Sequence, residues 1–169
     1  MVVIVSLAHF VLAPGVVVGV VPWLLTGWQS HDPAWAGALQ LLGWAMVAVG
    51  VAVIALSFVR FVTEGMGTPA PVVPTRKLVV GGFYRYVRNP MYVAVVAAIA
   101  GQALVLSRVV LLAYAGVIWL TVAAFVHWYE EPALRRRFGT GYDEYRRAVP
   151  AWRPRLHPWA PAVTPPDRP

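Results

Sequence analysis

The sequence predicts an all-α integral membrane protein: four transmembrane helices, one cytoplasmic loop and short C-terminal helices. Three observations carry that prediction. Hydrophobic residues make up 59% of the 169-residue chain and charged residues 12%, against roughly 45–50% and about 25% in a soluble domain. Mean hydropathy is +0.64. The charges are also segregated. Residues 1–59 hold one formally charged side chain, Asp32, and residues 91–129 hold one, Arg108. The others fall in 60–88 and 130–168, so the net charge of +7 belongs to two mostly basic segments beside apolar blocks. This composition excludes a disordered chain, a coiled coil and a typical soluble enzyme. Basic segments flanking apolar blocks read as a positive-inside topology, not as a nucleic-acid surface.

Each element follows in order. Residues 2–25 are almost wholly apolar, interrupted by His9, Pro14 and Pro22, and about 20 such residues cross a bilayer. No Lys or Arg precedes the run, which argues against a signal peptide. Thr26 to Pro33 is a polar turn with Trp23, Trp28 and Trp35 around it, an interfacial aromatic cluster. Residues 34–59 form a second span ending at Arg60, residues 91–107 a short third, and residues 109–129 a fourth ending in Trp128 and Tyr129; Ser107-Arg108 is the tight turn between the last two. Four spans place Arg60, Arg76, Lys77, Arg85 and Arg88 on the side of the Arg-rich C-terminal segment. The positive-inside rule puts that side, with both termini, in the cytoplasm.

The first polar segment opens with Thr63 to Thr75, where three prolines and two glycines forbid regular helix. Gly65-Met66-Gly67-Thr68-Pro69-Ala70 matches G-x-G-x-x-A on paper. A dinucleotide site needs a strand before that motif and a helix after it, and neither is present. Gly81-Gly82 follows and allows close backbone approach to a ligand. Asn89-Pro90 is a helix start, with Asn as N-cap and Pro at the first helical position. That start, with Arg85 and Arg88 beside it, forms an anion site. Asn89 is also the one asparagine in a chain with one lysine and four isoleucines but 14 glycines and 15 prolines, a bias expected from a GC-rich genome.

The second polar segment begins at Glu130-Glu131-Pro132. Adjacent carboxylates at a membrane helix end are costly unless solvated or paired, so they either mark the water boundary or hold a cationic or donor group. Residues 132–138 read as a short helix ended by Gly139, with Thr140 capping the next turn and Asp143 three residues on. Tyr142, Tyr145 and Val149 share a helix face. The segment either lies on the membrane surface or folds over a ligand. Cysteine is absent, which excludes a disulfide framework, a thiolate nucleophile and a Cys-based zinc site. His9, His31, His127 and His157 are too scattered for a metal site, although His127 lies within a turn of Glu130.

Together the two segments resemble the isoprenylcysteine carboxyl methyltransferase and phospholipid methyltransferase superfamily. The resemblance rests on Gly81-Gly82-Phe83-Tyr84-Arg85-Tyr86-Val87-Arg88-Asn89-Pro90-Met91-Tyr92. It rests equally on Glu130-Glu131-Pro132-Ala133-Leu134, Phe138-Gly139, Tyr142, Tyr145 and Val149-Pro150, and it covers roughly residues 64–155. The family usually has His before the Pro where this chain has Asn89. An amide donates but does not titrate near neutral pH.

The resemblance implies a single membrane methyltransferase-like domain over residues 1–155 and a Pro-rich tail over 156–169. It implies S-adenosylmethionine as cofactor, bound at the cytoplasmic side by Gly81, Gly82, Phe83, Tyr84, Arg85, Tyr86, Arg88, Asn89, Pro90, Tyr92, Glu130, Glu131, Tyr142 and Tyr145. The catalytic candidates are Glu131, Arg88 and Glu130. A lipophilic acceptor, isoprenylcysteine-like or phospholipid-like, would enter from the bilayer of a bacterial inner membrane. The residue chemistry agrees. The helix start with Arg85 or Arg88 suits a carboxylate, Glu130 or Glu131 an amine or ribose hydroxyl, and the tyrosines an adenine or, by cation–π contact, a sulfonium. A carboxylate acceptor needs no base, whereas an amine acceptor must lose a proton, for which Glu130 or Glu131 is nearest. Two alternatives stand beside this reading: an NADPH-dependent membrane reductase of the sterol reductase type, and a non-enzymatic lipid-binding protein.

Overall fold

The computed structural model describes residues 14–31, 36–65 and 78–160. Residues 2–13 of the first expected span, Asp32 and Trp35, the stretch 66–77 with most of the G-x-G-x-x-A match, and residues 161–169 lie outside the described residues. Every regular element among the described residues is helical, and none is a strand. Helix α1 is Val16–Thr26, α2 is Ala36–Gly65 and α3 is Pro90–Leu106. Helix α4 runs Val109–Phe138, and α5 is Thr140–Ala148. A single 3-10 turn, Gly82–Arg85, stands before α3.

Two stretches are long and apolar enough to cross a bilayer, Gly37–Arg60 and Val109–Phe138. Only 28% and 17% of their most apolar windows are buried within the protein. The core helix of a soluble protein hides most of such a surface. Here Leu41, Trp44, Val49, Val117 and Leu120 stay exposed, an apolar area suited to lipid contact. Helices α1 and α3 are shorter apolar helices.

Helices α2 and α3 pack antiparallel at backbone distance. A Cβ added at Gly43 would lie 2.6 Å from the Gly101 carbonyl oxygen, and one added at Gly101 would lie 2.7 Å from that of Gly43. One at Gly50 would meet the Ala94 carbonyl at 2.9 Å. Apolar side chains gain little by leaving lipid for protein. Close van der Waals contact through small residues is therefore what holds membrane helices together.

Pro22 shapes α1. Val16–Val20 forms a π turn, in which the Val21 N–H reaches back to the Val16 carbonyl. In that wide register Val17 would bond position 22, and in ordinary α register Val18 would too. Proline has no N–H to give either. Side chains from other helices supply the donors: Gln102 Nε2 bonds the Val18 carbonyl at 2.8 Å, and Tyr114 Oη bonds the Val17 carbonyl at 3.0 Å. These two bonds attach α1 to α3 and α4. Beneath them Ile99, Ala103, Leu111 and Ala115 form an apolar core.

Four local expectations are corrected. Helix α2 does not stop at Arg60 but continues to Gly65, because the helix-breaking prolines begin only at Pro69. The fourth span does not end at 129. It passes through a π turn, Val126–Glu130, and stays helical to Phe138; as at Pro22 in α1, Pro132 stands just after a π turn, and the helix absorbs it there without ending. The chain therefore turns at Gly139, with φ +53, and not at Glu131-Pro132. Thr140 makes no side-chain cap; Gly139 occupies the N-cap, and Asp143 instead takes Arg135 Nε at 2.8 Å across the α4–α5 turn. The Asn89 side chain does not cap α3 either. Its Nδ2 donates to the Ala151 carbonyl at 3.2 Å.

The C-terminal region folds back on the loop before α3. Tyr142, Tyr145 and Val149 are buried together against Leu78, Val80, Leu134 and Phe138. Tyr145 Oη donates to the Tyr84 carbonyl at 2.6 Å. The Arg88 N–H bonds the Pro150 carbonyl, the Arg155 N–H that of Tyr86, and the Trp159 N–H that of Arg85, each at 2.9 Å.

Gln102→Leu leaves the Val18 carbonyl without a donor and is expected to cost about 0.5–2 kcal/mol in detergent unfolding. The cost should shrink in a Pro22→Ala background, where the restored backbone N–H can serve that carbonyl. Equal costs in both backgrounds would contradict the assignment.

Tyr145→Phe should cost about 1 kcal/mol at neutral pH. Burial raises the Tyr145 phenol above its ordinary value. Its contribution is therefore fully present below the unfolded value of about pH 10 and declines as pH rises further. The stability gap between the two proteins should close in that alkaline range, as followed by pH-dependent unfolding.

Candidate functional site

Three elements converge at one end of the helices: the loop before α3, the segment of α4 after its π turn, and α5. Arg88 is the junction. Its Nη1 donates to Glu131 Oε1 at 2.6 Å and to Tyr142 Oη at 3.0 Å. The other Glu131 oxygen takes Arg146 Nε at 3.1 Å. Side-chain exposure is 10% for Arg88 and 15% for Glu131, so this ion pair is shielded from solvent and sensitive to loss of either partner. The Arg88 Nε–H is buried and has no hydrogen-bond partner. A buried guanidinium donor without an acceptor is a place where an anionic oxygen fits.

Glu130 stands beside this pair. Consecutive helical residues point about 100° apart, so the two glutamates address different partners. Glu130 Oε2 accepts from Tyr92 Oη, on α3, at 3.2 Å. The widened backbone at Val126–Glu130 lies immediately before Glu131, as π turns often do at functional sites. Trp128 and Tyr129 project outward just before it, with Trp128 76% exposed, where an interfacial aromatic belt belongs.

The expected site residues separate into three groups. Arg88, Tyr92, Glu130, Glu131 and Tyr142 come together as described. Tyr84 and Tyr145 are buried and joined by the hydroxyl-to-carbonyl bond; burial raises both phenols, with Glu130 adding to the effect at Tyr84, so both are neutral at physiological pH. Gly82, Phe83, Arg85 and Tyr86 line a pocket against α2, and Pro90 lines the groove next to it. Arg85 is spent partly on the Trp159 carbonyl, 2.6 Å from its Nε, so of these two arginines Arg88 is the one in the carboxylate cluster. Asn89 and Gly81 shape the loop: Asn89 is buried and tied to Ala151, and the Gly81 carbonyl accepts the Tyr84 N–H at 3.1 Å.

Arg146 was not among the expected residues, yet it completes the Glu131 contacts. The signal was its place one turn after Tyr142 on the same helix face, obscured among neighbouring arginines. Among the described residues no group of His, Asp and Glu could hold a metal ion.

Among curated proteins none matches the chain. The phospholipid methyltransferase family matches residues 38–141, from the start of α2 to the first turn of α5. That range contains Arg88, Tyr92, Glu130 and Glu131 and stops one residue short of Tyr142. With well over half of its length matched and the membrane helices to suit, the chain belongs to the phospholipid methyltransferase family, within the isoprenylcysteine and phospholipid methyltransferase superfamily of membrane proteins.

Proposed function

We propose that the chain transfers a methyl group from S-adenosylmethionine to a lipophilic acceptor, isoprenylcysteine-like or phospholipid-like, at the cytoplasmic face of a membrane. Methyltransferases of this family generally use that cofactor. The observation that carries the reading is the buried Arg88 Nε–H with no partner, set between the α3 start and Glu131. A carboxylate is the acceptor such a donor suits, and the cofactor has one.

Arg88 would hold the cofactor's carboxylate, with Glu131 and Tyr142 fixing the guanidinium in place. Glu130 and Tyr92 would contact the amine and ribose. When bound, the cofactor supplies an electrophilic methyl group on a sulfonium. The protein's own work is alignment and exclusion of water. Helix α5 contributes to the second by folding back onto the loop. Tyr92 orients the Glu130 carboxylate, which can receive a proton from an amine acceptor; a carboxylate acceptor would not need it.

For S-adenosylhomocysteine binding by calorimetry, Arg88→Ala is expected to weaken affinity by about 1.5–3 kcal/mol, the range for a hydrogen bond to a charged group. Glu131→Gln should keep the fold and lose methyl transfer. Unchanged affinity in Arg88→Ala would remove the proposed anion site.

The proposed arrangement has four spans, with α1 and α3 completing the two long ones and both termini cytoplasmic. The chain has no native cysteine, so single cysteines at Ser107 and Thr140 report topology cleanly. They should label from opposite sides of sealed vesicles, and labelling from the same side would refute four spans.

A further inference from the structure

A second pair of cavities lies on the side of α3 turned away from the carboxylates. Between α2 and α3 runs a groove of about 620 Å³, walled by apolar residues that include Val49, Val53, Val93 and Ala97. That volume falls within the roughly 300–1,000 Å³ typical of ligand sites. Phe83 and Tyr86 close its loop end and also line an adjoining pocket of about 630 Å³. The adjoining pocket differs in kind: Arg60, Arg85 and Thr63 line it, and its described lining residues include no carboxylate. Positions 46, 49, 53, 56, 60 and 63 of α2 recur every three or four residues, so one helix face runs from the apolar groove to the basic pocket.

Two features hold the basic end in place. The bond from Arg85 Nε to the Trp159 carbonyl anchors that guanidinium. Gly82, at φ +55, lies beside Arg60, and a Cβ there would approach Arg60 Nε to 3.3 Å.

We infer that the groove and the pocket together bind an anionic phospholipid, with an acyl chain along α2 and α3 and the phosphate against Arg60 and Arg85. Basic pockets at the cytoplasmic ends of membrane helices suit anionic headgroups. A zwitterionic headgroup would bring its own cation toward two arginines. The site is separate from the carboxylate cluster, because Tyr92 lies roughly opposite the groove-lining Pro90 and Ala94 on the turn of α3 and contacts Glu130 on α4. It goes beyond methyl transfer and is read out independently of it.

The test is native mass spectrometry of the full chain in detergent micelles doped equally with phosphatidylglycerol and phosphatidylcholine. Phosphatidylglycerol should be retained in preference. Arg60→Gln, at an exposed position, should weaken its retention about fivefold. Ala97→Phe, which fills the groove and keeps both arginines, should lower retention of both lipids. Glu131→Gln should leave the preference intact even where it abolishes methyl transfer, so failure of one site is distinguished from failure of the other. Equal retention of the two lipids, a preference that survives both Arg60→Gln and Ala97→Phe, or its loss in Glu131→Gln would overturn the inference. Should Ala97→Phe fail to fold, Arg60→Gln alone decides.

Discussion

The contact on which the rest of the structure depends is the antiparallel crossing of α2 and α3 through Gly43, Gly50 and Gly101. Each glycine there faces a backbone atom of the other helix at a distance that leaves no room for a side chain. The crossing does two things at once. It fixes where α3 begins, and so where Arg88 and Asn89 stand relative to the membrane helices. It also leaves the groove that α2 and α3 line between them toward the loop end, with Gly50 itself in its wall.

Helix α1 joins this pair through polar bonds. Pro22 leaves carbonyls of α1 without their backbone donor, and other helices supply donors in its place. Gln102 and Tyr114 do so from two different helices. At the same end of the bundle, His31 N–H bonds the Leu106 carbonyl and Arg108 Nε the Gln29 carbonyl, closing the α1–α2 connection over the α3–α4 hairpin. The end away from the carboxylates is thus stitched by polar contacts, and among the described residues Arg108 is the charged side chain there.

The opposite end is organised by charge. Arg88 and Arg146 balance Glu131, and Tyr92 supports Glu130. One buried donor of Arg88 is left over. Most other polar contacts here fix backbone: Asn89 to Ala151, Tyr145 to Tyr84, and main-chain bonds from residues 150–159 back to residues 85–88. A rigid frame around an uncommitted donor is the pattern expected where binding energy is to be directed at a ligand.

The helical class, the apolar blocks and the polar segments could all be read directly from the sequence, because hydrophobic run length and charge segregation respond to the bilayer and not to neighbouring residues. The pairing of Arg88, Glu130 and Glu131 in one neighbourhood was legible only through family resemblance. What tertiary structure alone decided are the partners. Asn89 has the chemistry of a cap, but the Ala151 carbonyl lies within its reach and takes its donor. Pro132 has the look of a helix break, but it stands just after a π turn, as Pro22 does in α1, and α4 continues to Phe138. Arg85 and Arg88 are three residues apart and chemically alike. The 3-10 turn Gly82–Arg85 and the irregular residues after it send the first toward α2 and the second toward Glu131. Local sequence sets what a side chain can donate or accept. Which group receives it depends on chain brought back from 40 to 80 residues away, and no local pattern records that distance.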